Sequence, residues 1–436
     1  MSSFSFLLET VRGSLIRCGV PARILVGLSG GADSVALLQA LHALREEKGL
    51  TLYAAYVNHG LREDAEKEEA FCADLCHKLQ IPFSIRRVQL APSGSVEAEA
   101  RACRYAALRD VMRETGAETL ALAHHMDDQA ETVLMHLMYG AGSDGLSGMA
   151  EYRKPLWRPL LTVRRADIRE ALNALGQSWC EDESNDDPTF TRNYIRSRIV
   201  PDMERAYPRT VEAIARAAAI LREEDACLDA MTNAWLEKNS AAGPWPFLLT
   251  APLCTEPMAL KRRILRAYAA RYGLLLEFSQ VEELIALLNG EPGGKCNLPQ
   301  GWRAQKTKER LHFVSPEPKD RRMWQMELLK PKQFDGKMGD GKIEQAVPGA
   351  LLQKARLRTR QPGDRITPFG MRGSMKLKDY MISRDIDQPF RDDWPLLCAD
   401  HEVLWVIGVG VSEKLRITET DDAIMLAFAG KLPDAI

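Results

Sequence analysis

No apolar run in this 436-residue chain approaches the roughly 18 residues that a membrane-spanning helix needs, so an integral helical membrane protein is excluded. The amino-terminal stretch "MSSFSFLLETVRGSLIRCGVPARI" has no basic start, long apolar centre or small-residue cleavage site. It reads as an amphipathic helix and not as an export signal. Cysteine occurs nine times without framework spacing, and Cys72 and Cys76 are separated by three residues, so there is no C-x-x-C pair. That excludes a disulfide scaffold, and the odd total fits buried thiols in a reducing cytoplasm. Charge is barely in excess, at a formal net −2, and exerts no global pull on a polyanion. A nucleic-acid contact therefore requires a local basic surface. Internal repeats and low-complexity tracts are also missing.

What is present is the composition of a soluble globular protein, 45% hydrophobic and 27% charged. The length exceeds one ordinary core and implies two or three domains. In the first third, "RILVGLS" (23–29), "LYAAYVN" (52–58), "FSIRRVQ" (83–89) and "TLALAHH" (119–125) have strand character, and the segments between them have helical spacing. This alternation predicts an α/β fold with a parallel sheet and helices on both faces. From about residue 150 the pattern loosens, with a helix expected near 164–175 and an acidic loop followed by the basic helix "RNYIRSRI". Residues 211–240 and 258–289 read as mostly helical, and "GGKCNLPQGWRAQKTKERLHFV" as a short β-meander. "SPEPKDRRMWQ" is a linker candidate, and the tail from about 322 carries β-like runs such as "HEVLWVIGVGV". The expected division is 1–210, 211–316 and 317–436, with a linker at about 315–350.

The sharpest local feature is "ILVGLSGGADSVALLQAL", residues 24–41, in which a strand stops on two glycines and a helix starts at once. Glycines let a backbone approach an anion without a Cβ in the way, and the following helix offers free N–H groups. Asp33 is badly placed for bare phosphate and makes sense if a divalent cation bridges it to phosphate oxygens. A plain turn capped by Asp33 or Ser34 is the bland alternative. No Lys-Ser/Thr follows the glycines and the turn lacks G-x-G-x-x-G spacing, which excludes the ordinary nucleotide triphosphatase loop and the dinucleotide fingerprint.

"SGGADS" matches the S-G-G-x-D-S signature of the ATP pyrophosphatase-loop superfamily. Four further stretches, in order, narrow the likeness: "VNHGLRED" (57–64), "EAEARACRY" (97–105), "HHMDDQAETVLMHLMYGAGSDGLSGM" (124–149) and "RPLL…WCEDESNDDPTFTRNYIRSRIVP" (158–201). Together they resemble the tRNA(Ile)-lysidine synthetase family. The tail "RTRQPGDRITPFGMRGSMKLKDYM" followed by "PFRDDWPLL" is similar to the C-terminal domain of its longer members. Only about 215–320 matches in helical character more than in motif.

The resemblance implies an adenine nucleotide α-hydrolase-like catalytic domain, a mainly helical tRNA-binding domain and a small α+β tRNA-binding domain. It implies ATP and Mg²⁺ as cofactors, and free L-lysine and a minor isoleucine tRNA with a CAU anticodon as partners. The first anticodon cytidine attacks the α-phosphate of ATP through O2, pyrophosphate leaves, and the lysine ε-amine attacks C2 and displaces AMP. A cytoplasmic location without a membrane partner follows, and monomer and homodimer are both compatible with the sequence.

On the same resemblance, Ser29, Gly30, Gly31, Ala32, Asp33 and Ser34 hold the ATP phosphates, with Asp33 toward Mg²⁺, while Tyr56 to His59 lie beside adenine. Arg101 has Glu97 four residues before it; an exposed ion pair competes with a role as a cation on the adenylate or pyrophosphate, and Arg104 suits either purpose. His124, Asp127, Asp128 and Glu131 crowd a helix start. Three readings stand: complements of the helix dipole, a metal site in which Asp127 and Glu131 face together, or carboxylates that bind the lysine ammonium and help deprotonate its amine. The resemblance favours the third. Arg192, Asn193 and Arg196 belong to the basic helix, which is either a solvated face or a contact to lysine and the anticodon.

Residues 354–391 carry ten Lys or Arg against four Asp, a local excess that gives tRNA a docking surface. Two rivals remain at this stage. A tRNA thiolase of the same superfamily needs a reactive cysteine near ATP, for which Cys103 and Cys180 are the candidates. A non-catalytic tRNA-binding protein turns nothing over.

Overall fold

The computed structural model describes residues 2–58, 65–88, 96–181, 191–241, 246–316, 329–332, 338–417 and 423–428, without the side chains of 96–98 and 329–332. The chain divides into two compact units, 1–227 and 228–436. Among the described residues no helix is long and apolar enough to cross a membrane.

The first unit begins with helix α1 (Ser3–Arg17) and then alternates: β1 (Arg23–Gly27), α2 (Ala32–Ala43), β2 (Thr51–Asn58), α3 (Ala65–Lys78), β3 (Phe83–Arg87), α4 (Val96–Thr115), β4 (Thr119–Ala121) and α5 (Met126–Met138). After the short α6 (Ser143–Leu146), a hairpin of β5 (Tyr152–Arg153) and β6 (Leu156–Trp157) completes a six-stranded sheet in the order β3-β2-β1-β4-β6-β5. All neighbours are parallel except β5 with β6. The hairpin lies where the sequence pattern loosens, because two-residue strands leave no periodicity to read.

Alternation along β1 sends its side chains to two faces. Ile24 and Val26 pack with α1, α2, α3 and α7 (Arg165–Ala174), whereas Leu25 packs with Leu108, Val111 and Met112 of α4. These residues are 8% exposed or less, as expected for a sheet covered on both sides. Strand order reverses beside β1: β2 and β3 extend one way, and β4 and β6 the other. Ligands in such folds bind at this switch point, outside the carboxyl ends of the strands.

Beyond α7, α8 (Thr191–Tyr194) continues through a π-turn at Ile195–Ile199 into α9 (Val200–Ala206), and α10 runs from Thr210 to Asn239. In the second unit, helices Met258–Ala270 and Phe278–Asn289 cover a five-stranded antiparallel sheet that includes the expected meander at Lys295–Asn297, Arg303–Lys306 and Arg310–Val314. A separate core gathers Trp394, Leu397, Val403 and Trp405 with Tyr380 and Phe390. Asp387 accepts hydrogen bonds from Arg310 (3.0 Å) and His312 (3.1 Å).

Candidate active site

A cleft of about 610 Å³ opens at the carboxyl ends of β1, β2 and β4. Residues 27–29 and 31–34 form one wall and Tyr56 to Asn58 another, with the Tyr56 hydroxyl donating to Glu68 at 2.7 Å. Arg101 and Arg104 enter from α4, His124 from the approach to α5, Asp128 from the first turn of α5, and Arg192, Asn193 and Arg196 from α8 and the π-turn. His59 lies outside the described residues, as does the side chain of Glu97.

The turn itself is built by Gly30 and Ser34. Gly30 has φ +83°, a region in which side chains are strained, and a Cβ there would meet the sulfurs of Cys72 and Cys180 at 3.4 and 3.5 Å. Ser34 Oγ accepts from the Ser29 N–H (3.1 Å) and donates to the Gly31 carbonyl (3.0 Å), closing the loop on itself. Helix α2 starts at Ala32 without a side-chain cap, so its first N–H groups stay available to an anion.

Asp33, in the first turn of α2, has a buried Oδ1 with no hydrogen-bond partner among the described residues. Burial raises its carboxyl above the ordinary carboxylate value and Asp128 adds to this, against the opposing pull of His125. A buried, unsatisfied carboxylate oxygen beside a phosphate-type loop fits a hard divalent cation. No group of three or more His, Cys, Asp or Glu among the described residues is arranged to hold a metal by itself.

His125 was not singled out from the sequence, yet it organises this corner. Its Nδ1 accepts from the Asp128 N–H at 3.2 Å while its own N–H donates to Asp128 Oδ2 at 3.0 Å, a reciprocal cap at the start of α5. With Nδ1 accepting, the ring proton sits on Nε2, which lies 3.6 Å from Asp33 Oδ2. The H-x-x-D spacing was the available signal. The neighbouring His124 is held neutral, since burial pushes its pKa down to about 3, and its Nδ1 has no partner among the described residues.

The acidic cluster divides in two, which corrects the expectation that Asp127 and Glu131 face together. Asp127 turns to Arg164, which donates to it from Nε and Nη2 at 3.1–3.3 Å, and to the Arg165 N–H at 2.8 Å. Arg164 also reaches Glu204 (2.8 Å) and Glu212 (3.0 Å). Asp128 and Glu131 instead share Arg192 and Arg196: Arg192 bonds Glu131 at 2.8 Å and Asp128 at 2.9 Å, and Arg196 bonds Glu131 at 2.6 Å and Asp128 at 3.2 Å. Burial opposes charge on Asp128, but His125, Arg192 and His124 hold its carboxyl down at about 2. The basic helix is thus not a solvated face at these two positions. Arg198 beside them is exposed.

Comparison with known proteins bears on this arrangement. A PP-loop domain family matches residues 11–203, and the TilS substrate C-terminal domain matches residues 355–427. A tRNA(Ile)-lysidine synthase of Symbiobacterium thermophilum is 34% identical, over 94% of this chain and 95% of its own. The chain belongs to the tRNA(Ile)-lysidine synthase family. Proteins of that name from Chromobacterium violaceum (35% identical, 89% of this chain and 91% of theirs) and Geobacter sulfurreducens (33%, 91% and 90%) agree.

The thiolase alternative is not favoured by these lysidine synthase relatives. Cys180 does reach the loop, but burial raises its thiol above the usual value. In the region matched to the family's C-terminal domain, Arg356, Arg365, Arg372, Lys376, Lys378 and Arg384 are exposed, as is Lys354 just before it. Arg358 and Arg360 are not free for a partner, since they pair with Asp364 and Asp392.

Proposed function

We propose that this protein is a cytoplasmic tRNA(Ile)-lysidine synthase that joins lysine to C2 of the first anticodon cytidine of the CAU-reading isoleucine tRNA. The observation that carries this is an S-G-G-x-D-S turn at the sheet's switch point in a chain 30–35% identical, over most of its length, to relatives of that name. The cytosine O2 attacks the α-phosphate of ATP and pyrophosphate departs; the ε-amine of lysine then attacks C2 and displaces AMP. Adenylation converts a carbonyl oxygen into a leaving group.

Ser29 to Ser34 hold the phosphates, Tyr56 and His59 border the adenine, and Arg101 with Arg104 offsets charge on the departing pyrophosphate. Asp33 is the residue that would hold Mg²⁺, which supplies positive charge to phosphate oxygens. The unpartnered Oδ1 supports that role.

Free lysine carries an α-ammonium, an α-carboxylate and the reacting amine. The cluster of Asp128, Glu131, Arg192 and Arg196 offers both signs of charge within one hydrogen-bonded group, which suits the zwitterionic end. Asn193 and the neutral ring of His124 add uncharged polar atoms from the same cleft. Asp127 acts through Arg164 as a positioning residue for α5. Residues 211–316 and 317–436 carry the tRNA outside the anticodon. The direct test incubates the protein with ATP, radiolabelled lysine and a CAU isoleucine tRNA; label in the RNA is expected, and its absence overturns the reading.

A further inference from the structure

The segment Gln177–Glu181 lies against the ATP loop and the helix that follows it, with one hydrogen bond to each. Gln39 of α2 donates to Gln177 at 2.7 Å, and the Cys180 N–H donates to the Gly30 carbonyl at 3.0 Å. Gly30 has no side chain, and the place where its Cβ would stand is flanked by two sulfurs from separate elements: Cys72 Sγ of α3 at 3.4 Å and Cys180 Sγ at 3.5 Å. Cys72 is fully buried, while Cys180 is partly open to the cleft. No step of the ligation uses either thiol.

We infer that Cys72 and Cys180 are an oxidation site, closing into a reversible disulfide across Gly30 that latches the ATP loop shut. The oxidant is hydrogen peroxide, which reaches the more open sulfur first. Cys180 sulfur attacks the peroxide oxygen, giving a sulfenic acid and one water; Cys72 sulfur then displaces the hydroxyl, which leaves as a second water with the thiol proton. Two sulfurs lose one electron each, and a dithiol reductant reverses the bond. Because burial raises both thiols, the reaction is slow and needs sustained oxidant. The bond fills the space that Gly30 leaves open and pulls 177–181 onto the turn that must accommodate a pyrophosphate.

This latch rests on reading residues 29–34 as the ATP grip, so the two are tested separately. Full-length protein is treated with hydrogen peroxide, digested without reductant and analysed by mass. A Cys72–Cys180 linked peptide two hydrogens lighter than its parts is expected, lost on adding dithiothreitol. In parallel, ATP–Mg²⁺ affinity is expected to fall about tenfold on oxidation and to recover on reduction. Cys180→Ser and Cys72→Ala should each give an oxidised-to-reduced affinity ratio near one. A missing linked peptide, a Cys72–Cys76 link in its place, a link that leaves ATP affinity unchanged, or equal loss in Cys180→Ser overturns the latch. ATP binding by the untreated, reduced protein reports on the grip itself, independently of any cross-link.

Discussion

Arg192 donates its Nε hydrogen to Oε2 of Glu131 across 2.8 Å, and that carboxylate is only 3% exposed. A carboxylate so withdrawn from water depends on its two arginines, and they on it. Removing the charge leaves Arg192 and Arg196 underpaired in a half-buried setting, the situation in which broken ion pairs are most damaging. Glu131→Gln should lower unfolding free energy by about 3 kcal/mol in urea titrations. If the cluster also binds lysine, KM for lysine rises while ATP affinity holds. An unchanged KM in the folded variant would remove Glu131 from the lysine site.

Asp33 is the second test. Its unpartnered Oδ1 and raised pKa describe a carboxylate that the fold tolerates without satisfying. Asp33→Asn should leave stability equal or improved, since a buried charge is removed. tRNA-dependent pyrophosphate release should nonetheless fall by about 100-fold or more, as when an electrostatic contact to the reacting group is lost. tRNA affinity, measured by filter binding, should stay put.

His125 separates capping from chemistry. Asn is as good a cap as any residue, whereas Ala is not, so His125→Ala should cost about 1 kcal/mol and His125→Asn much less. Neither substitution restores the Nε2 hydrogen beside Asp33. Pyrophosphate release should therefore remain depressed in His125→Asn although thermal melting recovers. Full activity in that variant would reduce His125 to a cap.

His124 and Asp128 both contribute to the acid limb of stability, alongside His42, Glu212, Asp340, Asp364 and Asp387, which are also shifted down. His124 titrates near 3 in the folded protein against an ordinary 6.5, so the unfolded chain binds a proton that the folded one refuses. That contribution is fully present above pH 6.5 and is lost as pH falls from there toward 3. Asp128, held at about 2 against 3.8, stabilises above its unfolded value and loses its contribution between about pH 4 and 2. Asp33 works in the opposite direction, because its folded pKa is raised, and softens the decline. Urea midpoints should thus fall on acidification from pH 6.5 to 5, and His124→Gln should flatten that first part of the curve.

The turn at residues 29–34 was legible because its chemistry is local: a strand, two glycines and a helix are consecutive in the chain. Four of the five parallel strands were legible for the same reason, each being a short apolar run between helical segments. What a linear reading missed depends on long-range geometry. Asp127 and Glu131 are one turn apart, but Asp127 pairs with Arg164, while Arg192 and Arg196 from a separate helical stretch pair with Asp128 and Glu131. The sequence reading names His124 and passes over His125 beside it. Only the cap and the approach of Asp33 distinguish them.

The same distinction sharpens the last prediction, on the basic stretch 354–391. Its ten cations are not alike once folded. Arg358 grips Asp364, which is 1% exposed, through two hydrogen bonds of 2.7 and 2.8 Å, whereas Arg365, Arg372, Lys376 and Lys378 are exposed. Exposed cations that meet RNA phosphates release counterions, so each one lost should flatten the log–log salt dependence of tRNA binding by roughly one unit or less. Changing Arg365, Arg372, Lys376 and Lys378 to Gln should therefore weaken tRNA binding most at low salt and leave melting of the protein nearly unchanged. Arg358→Gln should do the reverse, lowering stability by leaving Asp364 buried without its partner while the salt slope of the folded fraction persists. If the four exposed substitutions leave both affinity and slope intact, the tRNA docks on another face.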